Sequence, residues 1–173
     1  MLVIGHDPGV SGALVVMKCS APEETTRWRE IIDFRLIPTY KDKTRNRVDA
    51  VLLSKWMSQY AGKATFMTER VGPMPKDTPT TAWTFGAAEE SALTLAQVHR
   101  LPIHFIQPKK WQAAVLNGMP RGDRGQIKAS AVLWASQHFP ELREALTVKK
   151  NSGMADAACI AELGRRLIFT GNL

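Results

Sequence analysis

The sequence predicts an α/β fold: a five-stranded mixed sheet, an antiparallel meander extended by parallel strands, with helices on its flanks. Three observations carry this. Three short apolar runs separated by turn residues open the chain, strand-like runs then alternate with helical patterns, and the last 50 residues show helical spacing only. At 173 residues the chain suits a single domain spanning 1–173, with enough length to bury a substantial core.

The first strand is expected over 2–6, the second over 12–18 (GALVVMK) and the third over 28–36 (WREIIDFRL), joined by short turns. A polar stretch, TYKDKTRNR, follows. Val48, Val51, Leu52, Trp56 and Tyr60 then recur at helical spacing, predicting a helix over 48–60 with Asn46 as its cap. ATFMTER reads as the fourth strand, and the proline- and glycine-rich GPMPKDTP as irregular. A long helix is expected over 80–100, a fifth strand in LPIHFIQP and a short helix around Trp111. After the irregular NGMPRGDRGQ, helices are expected over 126–138 and 153–169. No repeat, low-complexity tract or interdomain linker interrupts this order.

The hydrophobic fraction of 45% argues against wholesale disorder, and 23 Lys and Arg against 16 Asp and Glu give +7. Such a charge favours a polyanionic partner, nucleic acid foremost. Cys19 and Cys159 lack metal spacing and read as free thiols of a reducing compartment; His6, His99, His104 and His138 make no zinc pattern. The opening apolar run is too short for a signal peptide, and no stretch approaches a membrane span. A soluble, intracellular protein is expected, cytoplasmic or nucleoid-associated, with a phage origin open. The RGD at 121–123 is a basic loop in that setting.

Three acids stand out. Asp7 and Glu69 end two predicted strands, where open α/β sheets put ligands, and Asp156 starts the stripe Asp156, Ile160, Leu163, Leu167 of the last helix. Each admits a bland reading: Asp-Pro-Gly as a turn, Glu69 as a solvated strand end, Asp156 as a partner of the helix dipole. Together, three inward carboxylates without matching basic core residues call for a cation, and an oxygen-only set suits Mg²⁺ or Mn²⁺. One or two such ions would support phosphodiester cleavage.

The motifs GHDPGVSGALVV, TERVGPMP, TTAWTFGAAEESALTLAQ, IHFIQPKKWQ and KKNSGMADAACIAELGRR stand in the order seen in RuvC-like Holliday-junction resolvases of the RNase H-like superfamily. The chain resembles that family over most of its length, with its phage-type and chloroplast-type branch nearest. The resemblance implies a homodimer that nicks opposed strands of a four-way junction by Mg²⁺-dependent hydrolysis, leaving 5′-phosphate and 3′-hydroxyl ends. It implies Asp7, Glu69 and Asp156 as metal ligands and Lys128 near the scissile phosphate, a solvated helix lysine being the alternative. Where the family often has a further acid or His before the last carboxylate, this chain has Ser152 and Gly153.

Lys109, Lys110, Arg121, Arg124, Lys149 and Lys150 are candidates for DNA backbone contact. Met74, beside Glu69, is the candidate wedge at a junction centre, whereas packing is favoured for Trp83 and Phe85. The long helix, with AWTFGAA, is the candidate dimer surface. Gly9 and Gly12 would keep the approach to Asp7 open for a phosphate backbone. The alternatives are a broader branched-DNA nuclease, a junction-binding module without catalysis, and an ATP-using enzyme of the actin and sugar-kinase type. That last class normally needs a second DPGxSG-like half, and none is present.

Overall fold

The computed structural model describes residues 1–20, 29–72, 75 and 77–173. Strands β1 (Leu2–Asp7), β2 (Ala13–Cys19) and β3 (Arg29–Leu36) form the expected antiparallel meander. Next come a hairpin of β4 (Thr39–Asp42) and β5 (Arg45–Val48), helix α1 (Ala50–Met57), strand β6 (Ala64–Glu69) and the long helix α2 (Pro79–Val98). Strand β7 (Ile103–Ile106) and helices α3 (Pro108–Val115), α4 (Arg124–His138) and α5 (Gly153–Phe169) complete the order. The main sheet runs β3-β2-β1-β6-β7, with β6 parallel to both β1 and β7.

Two elements differ from the sequence expectation. The polar stretch after β3 is a separate two-stranded hairpin, pairing Thr39 with Val48 and Asp42 with Arg45, with Lys43 at φ 56° in its turn. Its strands carry charge where a half-buried strand would carry alternating apolar residues, so the pattern conceals them. Helix α1 accordingly starts later than expected. Val48 and Asn46 belong to β5, and the cap is Asp49, whose carboxylate accepts the Leu52 N–H at 2.9 Å. Ser58–Tyr60 continue α1 as a single 3₁₀ turn.

The pleat distributes the core to two faces. Val3, Val15, Met17 and Met67 pack beneath α3, α4 and α5, whereas Ile4, Leu14, Val16 and Phe66 pack beneath α1 and α2. Helix α5 lies unusually close to the sheet. A Cβ at Gly5 would collide with the Ala157 carbonyl and stand 2.9 Å from Ala161 Cβ, so only glycine in β1 and small residues in α5 permit this approach. Gly164 serves the same contact from the helix side, against Met67.

A buried ion cluster locks α5 to β3. The Glu162 carboxylate is fully buried and accepts from Arg29 at 2.7 Å, Arg165 at 2.8 Å and Arg166 at 2.7 Å. Burial alone would raise its pKa, but the three guanidiniums reverse this and hold it below the usual carboxylate range. On the other face, Asp33 of β3 accepts from Trp56 Nε1 at 2.7 Å and from the Tyr60 hydroxyl at 2.6 Å, which fixes α1.

Candidate metal centre and nucleic-acid interface

Strand parity brings the acids together. Asp7 lies two residues beyond Gly5 and four beyond Val3, so the pleat turns it to the α5 side of the sheet. Glu69 lies two beyond Met67 and faces the same side. Asp156, in the first turn of α5, meets them there because Gly5 seats that helix over the end of β1. The intervening His6 and Thr68 point to the opposite face, where His6 Nδ1 and Thr68 Oγ1 are 3.0 Å apart. Burial lowers the pKa of His6 to about 3, so it is neutral at physiological pH.

The carboxylates feel burial and one another. Asp7 is pushed well above the ordinary carboxylate range, first by burial and then by the charges of Asp156 and Glu69. Asp156 is raised to about 6, mainly by burial, with Glu69 adding to the shift and Lys128 opposing it. Glu69 is raised by burial and restrained by a hydrogen bond from Trp111 Nε1 at 2.7 Å. Pro108 starts α3 directly after β7, which puts Trp111 against the end of the neighbouring strand.

Two cations complete this environment. Lys128 Nζ lies 3.6 Å from Asp156 Oδ2, and Arg124, at the start of α4, adds positive charge felt by all three acids. The oxygen-only donor set and its excess negative charge suit a hard divalent cation. Yet among the described residues no three Asp, Glu, His or Cys side chains close into a set able to hold a metal by themselves. The donor chemistry therefore fits Mg²⁺, an ion that ordinarily keeps waters or phosphate oxygens in its shell.

Glycines shape the pocket differently from expectation. A Cβ on Gly9, which has φ 115°, would lie 3.3 Å from the Phe85 ring, and one on Gly12 would collide with the Asp7 carbonyl. These glycines form the turn, closed by a Gly12 N–H to Gly9 carbonyl bond of 3.0 Å, rather than an open approach. Phe85 thus lies half-buried over the turn after Asp7. Trp83 is half exposed instead, beside the guanidiniums of Arg45 and Arg47.

Gly153 explains the departure in the last motif. A Cβ there would come within 2.6 Å of Asp7 Oδ2, so any side chain at 153 would displace the carboxylate. Of the other candidates, Lys109 and Lys110 are exposed on α3, Arg121 before α4, and Lys149 and Lys150 in a 3₁₀ turn before α5, while Met74 falls outside the described residues. Trp111 was visible in the sequence only as part of QPKKW, and its hold on Glu69 needed the fold.

No helix among the described residues is long and apolar enough to cross a membrane. No protein-family model matches the sequence, and no curated protein does. Solved structures do. Thermus thermophilus RuvC superposes with a TM-score of 0.65 at 16% identity, covering 99% of this chain and 98% of that one. T. thermophilus RuvC in complex with a Holliday junction substrate gives 0.66 at 14%, covering 99% and 97%. With the same mixed five-stranded sheet and flanking helices, the chain has a RuvC-like, RNase H-like fold.

Proposed function

We propose that the chain is a structure-selective endonuclease that cuts four-way DNA junctions by metal-dependent phosphodiester hydrolysis, leaving 5′-phosphate and 3′-hydroxyl ends. The observation that carries this is the placement of Asp7 and Glu69 at adjoining strand ends with Asp156, in the first turn of α5, on the same face of the sheet. Half-buried there, Asp7 is pushed well above the ordinary carboxylate range and Asp156 is raised to about 6. A buried cluster of like charges costs stability unless a cation joins it. Its likeness to a RuvC solved with a Holliday junction makes branched DNA the preferred substrate class.

In this reading Asp7, Glu69 and Asp156 hold one or two Mg²⁺ ions, or Mn²⁺ in their place, which supply Lewis acidity and an activated water at neutral pH. Trp111 fixes the rotamer of Glu69 by its 2.7 Å hydrogen bond. Lys128, 3.6 Å from Asp156, neutralises it in the free protein and would be available to approach the scissile phosphate. Arg124 and the exposed Lys109, Lys110, Arg121, Lys149 and Lys150 track the backbone, giving affinity that falls with salt. Met74 serves as the wedge. The working form is a homodimer.

A junction-binding module without catalysis is the second reading, favoured by the absence, among the described residues, of a ready-made three-ligand set. Nicking of a synthetic four-way junction with Mg²⁺ or Mn²⁺, beside Y-forks and linear duplex, separates the readings. Wild type is expected to nick the junction, and Asp7→Asn to lose at least about 10³-fold in rate while still binding it. Mg²⁺ is also expected to raise the melting temperature of wild type and not of Asp7→Asn. Binding without nicking under either metal would leave only the second reading, and equal cutting of forks would broaden the substrate class.

A further inference from the structure

The β4–β5 hairpin has no part in the site described so far. It carries Lys41, Lys43, Arg45 and Arg47 against a single acid, Asp42, which is paired with Arg47 at 2.6 Å. The charges flank two exposed aromatic rings. Tyr40 is 51% exposed and Trp83, on the first half of α2, is 49% exposed. The guanidiniums of Arg45 and Arg47 stand 5.4 Å and 5.1 Å from the Trp83 ring centre. Exposed tryptophan amid arginines contributes little to a core, whereas both groups stack readily on nucleobases.

Between hairpin and helix lies a cleft of about 180 Å³, lined by Val10, Tyr40, Asn46, Arg47, Trp83 and Ser91 among others. It falls below the ~300–1,000 Å³ of ordinary small-molecule pockets, and suits one planar group rather than a whole cofactor. Its position matters as much as its lining. Val10 belongs to the turn that follows Asp7, and the hairpin is rooted beside that turn by the Ile37 N–H to Gly12 carbonyl bond of 3.0 Å. Four-residue strands project roughly 13 Å from this root. A DNA strand cut at Asp7 would therefore continue past the hairpin within a few nucleotides.

We propose that the β4–β5 hairpin and the start of α2 form a second DNA contact, in which an unpaired nucleotide of the branched substrate stacks on Trp83 and Tyr40 while Arg45 and Arg47 hold the adjoining phosphates. The proposal rests on the DNA-cutting reading above for its substrate and adds where that substrate is gripped. A sequence-tolerant grip is expected, since every base offers a π-face and no base-edge code is built here.

The test uses the full chain and a four-way junction carrying 2-aminopurine at the branch point, with affinity measured in EDTA and single-turnover nicking in Mg²⁺ at saturating protein. Trp83→Ala is expected to weaken binding on the order of 10-fold and to abolish the 2-aminopurine quench, with Trp83→Phe restoring most of both. The double variant Arg45→Gln/Arg47→Gln, at one exposed and one half-buried hairpin position, is expected to reduce the slope of log affinity against log salt by about 1.5–2. The nicking rate of the saturated complex stays at the wild-type value throughout. Unchanged affinity, quench and salt slope in variants of a wild type that binds and nicks would overturn this proposal alone. A fall in particle mass on Trp83→Ala, by light scattering, would assign the face to a second copy of the chain and overturn it as well. If wild type binds and the variants lose affinity but nothing is nicked, the catalytic reading fails and the grip stands; if wild type binds no DNA, both fail.

Discussion

Asp156 and Glu162, six residues apart on α5, respond to pH in opposite ways. Asp156 has a folded pKa raised to about 6, so the folded state binds its proton more tightly than the unfolded chain does. Its favourable contribution is complete below about pH 4 and is lost as pH rises through 6. Asp156→Asn should therefore stabilise the metal-free protein at pH 7.5 by about 1–3 kcal/mol, with no gain at pH 4, as thermal melts in EDTA would show. For Glu162 the folded pKa is depressed, so its contribution is present above about pH 4.3 and lost as pH falls toward the folded value. Glu162→Gln removes the fully buried carboxylate that Arg29, Arg165 and Arg166 share. It should cost about 3–5 kcal/mol at pH 7, as denaturant titration would measure, and much less at pH 3.

At the level of the element, the seat of α5 governs the site. Gly153→Ala pushes a methyl toward the Asp7 carboxylate and should lower the nicking rate about 10²-fold with little loss of junction affinity. Gly5→Ala acts on the whole helix, since its methyl meets the Ala157 carbonyl; a loss of at least about 1–3 kcal/mol in stability is expected from denaturant unfolding. Helix α5 itself was fully legible, because Ala, Ile and Leu recur at helical spacing from Gly153 to Phe169. The hairpin was not, because its strands carry Lys and Arg at positions that a core-facing strand would fill with apolar residues. Asp7 and Glu69 could be placed at strand ends from the run of apolar residues before them. That they share a face, and that Trp111 holds one of them, depends on a parallel pairing of β1 with β6 that no local pattern records.

Across the whole molecule, charge is unevenly assigned. Asp7, Glu69 and Asp156 lie at one end of the sheet, while Lys41, Lys43 and Arg45 on the hairpin and Lys109, Lys110, Lys149 and Lys150 on the helices are exposed. Junction affinity should accordingly fall steeply between 50 and 200 mM salt, by on the order of 10³-fold if about six phosphates are neutralised. Fluorescence anisotropy over that range would check it, a flat response arguing against backbone tracking by these residues.

The pleat that turns Asp7 and Glu69 toward α5 also sets which kinds of sequence change this protein can absorb. Adding or losing one residue inside Leu2–Asp7 or Ala64–Glu69 reverses every later side chain, sending a carboxylate into the apolar layer beneath α1 and α2. A change of one residue in the turn of the β4–β5 hairpin alters only a projecting tip. Length variation among natural versions of this chain should thus collect in the hairpin and be scarce in the two central strands, where counting constrains the site as well as chemistry.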